Sequence, residues 1–391
     1  METSKSKKVI AAGLLVMSMT MACNSALAPI LAEVGKFFPN SSDAAIQIVL
    51  TIINLITLPM MIIEPFFEKY ITKRDIAIIG TALMLAGALL PQVLNTQLWM
   101  LYLASAVIGA GLSFVVVTSS SLISDYFTGI EKSRIMGFQS IFVSIGGTII
   151  AKGSGLLTAM GGWKIGYLVF LITVPIILII FFTVPRGEVI VATEKAEKGG
   201  VSGSMIYFGA LCLITGIFVA TFNTNIAMYI DAKGIGDANT AGTVAGIMQI
   251  VGIIGGLLLG TVVKTFKRFT IGASILVMAV GTACVGLSTN FYVICLGAVL
   301  VGIGFAIRNP GAVTFGANMV PAAQASLAIA IISATYNVGN FLSAFIVNPV
   351  ANAISTDISS RFIVSAIGLA IIGVVACVKA PVTDKQALDA Q

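Results

Sequence analysis

Two cations interrupt long apolar segments of this chain and are its clearest chemical signal. Lys152 and Arg308 lie inside segments long enough to be membrane spans, where a charge costs about 2.5–3.5 kcal/mol even on a lenient scale. Such residues usually face a cavity or a partner, and a guanidinium binds a planar carboxylate or phosphate through two hydrogen bonds. No Asp or Glu falls in the middle of a span. We therefore expect an anionic small molecule, best a carboxylate, to supply the counter-charge, and we expect no proton coupling through a buried carboxyl group.

Uncharged polar residues accompany these cations. Lys152 shares one helical face with Ser144, Thr148 and Gly155, because residues three or four apart lie on the same side of a helix. The residues predicted to contact the bound molecule, besides the two cations, are Asn24, Asn54, Asn223, Asn225, Gln249, Tyr336, Asn337 and Asn340. Hydrogen bonding between helices is the alternative role for each of them.

The composition excludes several other kinds of chemistry. The chain has 0 His residues, so neither a His proton relay nor a His-based metal site is available. Its 5 cysteines lie at scattered spacings within apolar segments, which is typical of packing residues rather than of a disulfide or metal set. We predict no metal, no cofactor and no enzymatic nucleophile–base pair.

The elements that position these residues are predicted transmembrane helices. The chain is 58% hydrophobic and 10% charged over 391 residues, and about 20 apolar residues cross the hydrocarbon layer as a helix. Twelve spans are predicted, at 9–31, 44–66, 76–94, 98–123, 135–158, 164–184, 204–230, 240–262, 270–288, 292–317, 326–350 and 361–379.

The distribution of Lys and Arg predicts the orientation of these spans. Most of the 22 cations fall at the two termini and in the even-numbered loops, and the opposite loops carry only Lys36, Lys164, Lys233 and Arg361. The positive-inside rule then places both termini in the cytoplasm, with the protein in the cell membrane. The net charge of +6 follows from this asymmetry and needs no nucleic acid partner.

The chain divides into two similar halves. Residues 185–203 have the composition of a linker, which separates a six-helix bundle at 1–184 from a second at 204–391. Three glycines of the first half recur at one constant offset in the second: Gly109, Gly111 and Gly146 as Gly302, Gly304 and Gly339. Two pseudo-symmetric six-helix bundles in an all-α membrane protein are typical of secondary transporters. One polypeptide holds both bundles, so a monomer suffices.

The loops resemble those of the major facilitator superfamily. Its loop between helices 2 and 3 reads Gly-x-x-x-Asp-Arg-x-Gly-Arg-Arg. Here the stretch that begins at Glu64 keeps the acidic–basic pair and the trailing cations but neither glycine; the residues kept are Glu68, Lys69, Lys73 and Arg74. The region from Asp125 to Gly137 and the Trp163-Lys164 pair also resemble family motifs, after helix 4 and at the start of helix 6.

This resemblance implies a fold and a mechanism. It implies transport by alternating access, with a cytoplasmic charge network that latches the two bundles. The network residues would be Glu64, Glu68, Lys69, Asp125, Glu131, Arg134 and Lys264. The alternative is that these charges serve only to orient the chain in the membrane.

The chain departs from the drug antiporters of this family. Ser105 stands where they usually carry an Arg in helix 4, and the Gly146-Gly147 pair lacks their helix 5 proline. Our leading hypothesis is therefore a transporter of a small organic anion by exchange (antiport) or symport, with a coupling ion left open. The alternatives are multidrug or amphipathic-compound efflux, and a carrier of sugars or other neutral solutes. Substrate identity and direction of transport stay open.

Overall fold

The chain is helical throughout the part that the structure describes. In a computed structural model, the described residues are 7–127, 129–186, 203–320 and 325–383, and they contain no strand. Within these ranges, 12 helices are long and apolar enough to cross a membrane, as predicted. We number them α1 (Lys7–Phe37), α2 (Asp43–Phe67), α3 (Lys73–Val93), α4 (Leu98–Tyr126), α5 (Gly129–Gly161), α6 (Trp163–Thr183), α7 (Gly203–Ala232), α8 (Ala238–Phe266), α9 (Thr270–Leu287), α10 (Phe291–Asn318), α11 (Ala325–Ile354) and α12 (Ser359–Val378).

Polar side chains determine where several helices begin. The Ser42 hydroxyl accepts a hydrogen bond from an amide of the first turn of α2, and Thr72 does the same for α3. Asp237 caps α8 by accepting from the Thr240 amide at 3.0 Å. Such caps satisfy amides that have no partner within the helix. Each helix therefore starts directly after a short polar loop.

Large apolar side chains remain exposed on the helices. Val93, Ile62 and Phe182 are 81%, 73% and 67% exposed, which would be unfavourable in water. In a bilayer these side chains meet lipid tails that are as apolar as themselves. The surface of the described helices is therefore that of a membrane protein.

The chain divides into two compact units, Met1–Glu194 and Lys195–Gln391. This boundary falls inside the predicted linker 185–203, of which residues 187–202 lie outside the described residues. In the N-terminal unit α4 packs on α2 and α3, α1 packs on α5, and α6 packs on α1 and α3. In the C-terminal unit the same pairs recur six helices later: α10 with α8 and α9, α7 with α11, and α12 with α7 and α9. Each unit is thus a six-helix bundle of the same internal arrangement.

The recurring glycines make equivalent contacts in the two units. A Cβ added to Gly109 would lie 2.7 Å from the carbonyl oxygen of Ile53 on α2. A Cβ on Gly302 would lie 2.5 Å from the carbonyl oxygen of Met248 on α8. Small residues let two helix backbones approach closely within a membrane. The repeat predicted from glycine spacing is therefore a repeat of helix packing.

Helix α1 is less regular than its apolar sequence predicts. Two 3₁₀ segments, Met19–Ala26 and Ala28–Ile30, interrupt it. The second contains Pro29, which provides no amide for a helical hydrogen bond. The Ser154 hydroxyl of α5 donates to the Ala26 carbonyl at 2.6 Å. This side chain satisfies a carbonyl in the irregular segment, and Asn24 lies in that segment.

Candidate functional site

Arg308 is buried inside the C-terminal unit. It lies on α10, two residues before Pro310 within the same helix, and only 1% of it is exposed. An Arg side chain that extended to the membrane surface would keep its charged end in water. Arg308 does not do so, and its guanidinium is surrounded by the helices of its own unit.

Helices α7 and α11 supply the groups around Arg308. The guanidinium carbon lies 4.4 Å from the ring centroid of Tyr336, which is within the range of a cation–π interaction. The Cys212 side chain of α7 contacts the same guanidinium. Asn340 donates its amide to the Tyr336 carbonyl at 3.1 Å, and Asn337 lies half-buried beside Tyr336. The structure thus brings two predicted residues, Arg308 and Tyr336, into contact, with Asn337 and Asn340 adjacent on α11.

One edge of this guanidinium has no hydrogen-bond partner. The Nε and Nη2 atoms of Arg308 are buried and unpartnered among the described residues. Nε and Nη2 lie along the same edge of the planar group, so their N–H bonds form the fork that matches two oxygens of a carboxylate or phosphate. Buried donors are nearly always paired. The open edge is therefore a feature that a ligand would satisfy.

Asn225 belongs to a different polar cluster. Its Nδ2 donates to the Thr221 carbonyl at 3.2 Å and to the Thr224 hydroxyl at 2.9 Å. Its Oδ1 accepts from Nη1 of Arg361 at 3.0 Å. Sequence position predicts that Arg361 is a loop cation, and this is wrong: Arg361 is 5% exposed at the start of α12. The helix begins two residues before Arg361 and turns the side chain toward α7.

The distance along α7 separates this cluster from Arg308. Asn225 comes 13 residues after Cys212, which is about 20 Å at 1.5 Å per helical residue. Asn225 and its neighbour Asn223 therefore lie too far along α7 to join Cys212 beside Arg308. Gln249 lies half-buried on α8, and its predicted role in binding stays a prediction.

Three of the residues predicted to bind the transported molecule lie in the N-terminal unit. Lys152 on α5, Asn24 on α1 and Asn54 on α2 are all half-buried. On the predicted polar face of α5, the Thr148 hydroxyl donates to the Ser144 carbonyl at 2.9 Å, so this hydroxyl is satisfied within its own helix. A binding role for Lys152, Asn24 and Asn54 stays a prediction.

Glu64 is the most buried acid of the predicted charge network. It is 0% exposed, although it lies only one turn before the end of α2. Its Oε1 accepts from the Thr118 hydroxyl of α4 at 2.8 Å. Its Oε2 is buried and has no hydrogen-bond partner among the described residues. Sequence position places Glu64 at a helix end but does not indicate that it faces α4.

Three further acids of the network, Glu68, Asp125 and Glu131, have electrostatic neighbours of their own. Lys73 of α3 donates to Asp125 of α4 at 2.7 Å, and partial burial raises the pKa of Glu68, because removal from water disfavours the ionised form. Glu131 lies 3.6 Å from Lys7.

The remaining network residues lie against apolar groups. The Lys69 ammonium lies 5.4 Å from the Phe66 ring centroid, and the Arg134 guanidinium lies 5.7 Å from that of Phe138. Lys264 lines a cavity of about 360 Å³ between α8 and α10. A latch between the bundles stays a prediction for all seven residues.

The described residues contain no group of three or more Cys, Asp or Glu side chains able to hold a metal ion. Their 5 cysteines are unbridged.

Comparison with known proteins agrees with the helix arrangement. The chain matches the profile of the Major Facilitator Superfamily over residues 10–270 and 206–390. No match was found among curated protein sequences.

Several solved transporters share the fold. A variant of the nucleoside transporter NupG has a TM-score of 0.78 at 14% identity, covering 94% of this chain and 98% of that one. The D-xylose-proton symporter has a TM-score of 0.74 at 16% identity, covering 95% and 96%. The POT family transporter PepTSo has a TM-score of 0.73 at 10% identity, covering 96% and 98%. At these identities the likeness concerns the fold alone.

The profile match, by contrast, spans nearly the whole chain and concerns its sequence. Membership of this family also identifies a transporter rather than an enzyme. The protein is therefore a multi-pass membrane protein of the Major Facilitator Superfamily, a secondary transporter that works by alternating access.

Proposed function

We propose that this transporter carries a small organic anion, a carboxylate, by exchange or symport. The observation that carries the proposal is the open edge of Arg308, where Nε and Nη2 are buried without a hydrogen-bond partner among the described residues. A carboxylate offers two coplanar oxygens at the spacing of this fork. Its negative charge would also compensate the buried cation, which is otherwise costly to keep out of water.

The surroundings of Arg308 favour a small ligand held by few polar groups. The Tyr336 ring lies against the guanidinium at 4.4 Å and leaves the edge of the plane for the anion. Asn337 and Asn340 follow Tyr336 on the same helix, and their side-chain amides are the proposed hydrogen-bonding groups for the same ligand. The Phe305 ring lies 6.3 Å from that of Tyr336. An apolar wall strengthens a charge-assisted hydrogen bond, because the local dielectric constant is low.

Lys152, Asn24, Asn54, Asn223, Asn225 and Gln249 complete the proposed set of binding residues in the transport cycle. Nitrogen and oxygen atoms of Asn225 already hold internal hydrogen bonds, so Asn225 would serve only after these bonds rearrange. We place both termini in the cytoplasm and the protein in the cell membrane, because the terminal and even-numbered loops carry most cations.

The test is ligand-dependent thermal stability of the purified protein. A panel of carboxylates, phosphate esters, nucleosides, sugars and lipophilic cations is compared for wild type, Arg308→Met and Arg308→Lys. A ligand at 100 times its Kd adds about 2.7 kcal/mol of stability. We expect a carboxylate to stabilise wild type, Arg308→Met to abolish the effect, and Arg308→Lys to retain it only in part, because an ammonium lacks the two-pronged fork. Arg268→Gln, which changes an exposed Arg of the same unit, is the matched control and should respond as wild type does.

A labelling experiment locates the bound ligand independently. Cys212 contacts Arg308, so in a variant with the other cysteines changed to Ser, a bound carboxylate should slow the reaction of Cys212 with a maleimide. Stabilisation by nucleosides or sugars that is unchanged in Arg308→Met would overturn the proposal in favour of a neutral-solute carrier. Stabilisation by lipophilic cations alone would favour drug efflux instead.

A further inference from the structure

We propose that Glu64 is a proton-binding site of this transporter and that its ionisation opens the end of the N-terminal unit where α2 terminates. This inference goes beyond the carboxylate site around Arg308 and does not depend on it. It reverses the expectation from sequence that no buried carboxyl group is available to bind a proton.

The contacts of Glu64 are those of a neutral acid. Glu64 is 0% exposed, and its two oxygens are unequal: Oε1 accepts from Thr118 at 2.8 Å, and Oε2 has no partner among the described residues. An ionised carboxylate needs donors or a cation at both oxygens when it is out of water. A protonated one carries no charge, so Thr118 at its carbonyl oxygen and an unpartnered Oε2 cost far less than a buried, half-satisfied carboxylate. The single hydrogen bond accepted by Oε1 and the unpartnered Oε2 therefore fit the protonated form of Glu64.

The neighbouring charges do not compensate an ionised Glu64. The charged groups near it are Glu68, one turn later on α2, and Lys73 of α3. Lys73 is held by Asp125 of α4 at 2.7 Å, and among the described residues no cation forms an ion pair with Glu64. Ionisation of Glu64 would therefore place a third carboxylate beside Glu68 and Asp125, with one lysine between them.

Loss of the proton from Glu64 would favour a movement of α2 relative to α4. When the O–H bond of Glu64 breaks and the proton passes to water, the new carboxylate repels Glu68 and needs solvation. The need for solvation favours separation of α2 from α4 at this end, because a buried charge attracts water. Repulsion by Glu68, which lies on α2 itself, adds to the cost of leaving the new charge buried. Rebinding of a proton from water restores the sealed contact with Thr118. The occupancy of Glu64 is thereby linked to whether this end of the unit is closed or open.

Infrared spectroscopy of the purified protein tests the proton site without a substrate. At pH 7 exposed Asp and Glu side chains are ionised, so a carboxylic acid C=O band reports a buried protonated group. We expect wild type to show such a band and Glu64→Gln to lose it. Glu33→Gln, which changes an acid outside the Glu64 cluster, should keep it. Thr118→Val should move the band to higher wavenumber, because the hydrogen bond to the carbonyl oxygen is lost.

Cysteine labelling tests the link to opening. Leu122 is 3% exposed on α4, one turn after Thr118, so Leu122→Cys in a background without the five native cysteines should become accessible to a maleimide only when this end opens. Because the thiolate is the form that reacts, the rate at each pH is divided by that of the denatured protein. We expect this ratio to rise with pH and to stay at its low-pH value when Glu64→Gln is added. If Glu64→Gln fails to fold, Glu64→Asp should keep the infrared band at a shifted position. Absence of the band in wild type, or its persistence in Glu64→Gln, overturns the proton site, and a ratio of native to denatured labelling rates that is independent of pH overturns the link.

Discussion

The close contact between α7 and α11 makes a quantitative prediction at Gly339. A Cβ at this position would meet the carbonyl oxygen of Leu213, and it would lie 3.0 Å from the Leu213 carbonyl carbon and 3.1 Å from the Ile217 amide nitrogen. All three atoms belong to the backbone of α7, which cannot rotate away as a side chain can. Gly339→Ala therefore requires the two helices to separate.

The expected loss of stability follows from two opposing terms. Overpacking of a well-packed interface costs about 1–3 kcal/mol. The gain from replacing Gly by Ala within a helix is about 0.8–1.0 kcal/mol. Since the clash is with backbone, we take the upper part of the first range and expect Gly339→Ala to lose about 2 kcal/mol. Gly260→Ala on α8 is the matched control, because its Cβ would meet no atom within 4 Å, and we expect it to gain up to about 1 kcal/mol.

The assay is unfolding of both variants in the same detergent. Internal symmetry supplies a second test, because a Cβ at Gly146 would meet the backbone of Met19 on α1 in the equivalent α1–α5 contact. Gly146→Ala and Gly339→Ala should therefore lose similar stability. The reasoning is refuted if Gly339→Ala is as stable as Gly260→Ala, since the two helices would then not be in backbone contact.

Three further predictions concern polar contacts. Asn225→Leu removes the acceptor for Arg361 and should cost about 1.5–3 kcal/mol. Arg361→Met in the same chain should recover part of this loss, as a double-mutant cycle in thermal unfolding would show. The hydrogen bond from Lys233 lowers the pKa of Asp357 to about 2, so the stabilisation is present above the unfolded value of about 3.9 and is lost as the pH falls toward 2. Because this pair is exposed, Asp357→Asn should lose under about 1 kcal/mol at pH 6 and much less at pH 2, measured as a thermal midpoint. Burial raises the pKa of Glu68, so its contribution is present below about pH 4.3 and is lost as the pH rises. Unfolding midpoints should therefore show Glu68→Gln gaining on wild type as the pH rises from 4 to 8.

The membrane spans were predictable because their length and apolarity are properties of continuous segments. The burial of Arg308 inside the protein was also predictable, because a charged side chain in the middle of a span can reach water only at a high cost in free energy. The repeat was predictable from glycines because a backbone contact tolerates no other residue. In each case a single physical requirement acts on a continuous segment or on one position of the chain, whatever its neighbours in the folded protein are.

Residues at the ends of spans were not predictable in the same way. Arg361 and Glu64 both lie within one turn of a helix end, where sequence position is consistent with either water or protein. Which of the two they meet depends on the rotation of the helix about its axis, and Asn225 and Thr118 provide the partners from other helices. These partners lie 136 and 54 residues away in the sequence. Such contacts follow only from the packing of the whole bundle.

A carboxylate bound to Arg308 would also determine the mode of transport. An empty carrier must change conformation with a buried guanidinium whose Nε and Nη2 lack partners, and an unpaired buried charge is costly. The loaded carrier has that charge compensated, so it should change conformation faster. We therefore expect exchange across proteoliposomes with carboxylate on both sides to be faster than net efflux into buffer without it. Arg308→Gln, which removes both the charge and the fork that binds the carboxylate, should lose exchange and net efflux alike. Equal rates of exchange and net efflux in wild type would show that the unpaired edge of Arg308 does not limit the return of the empty carrier.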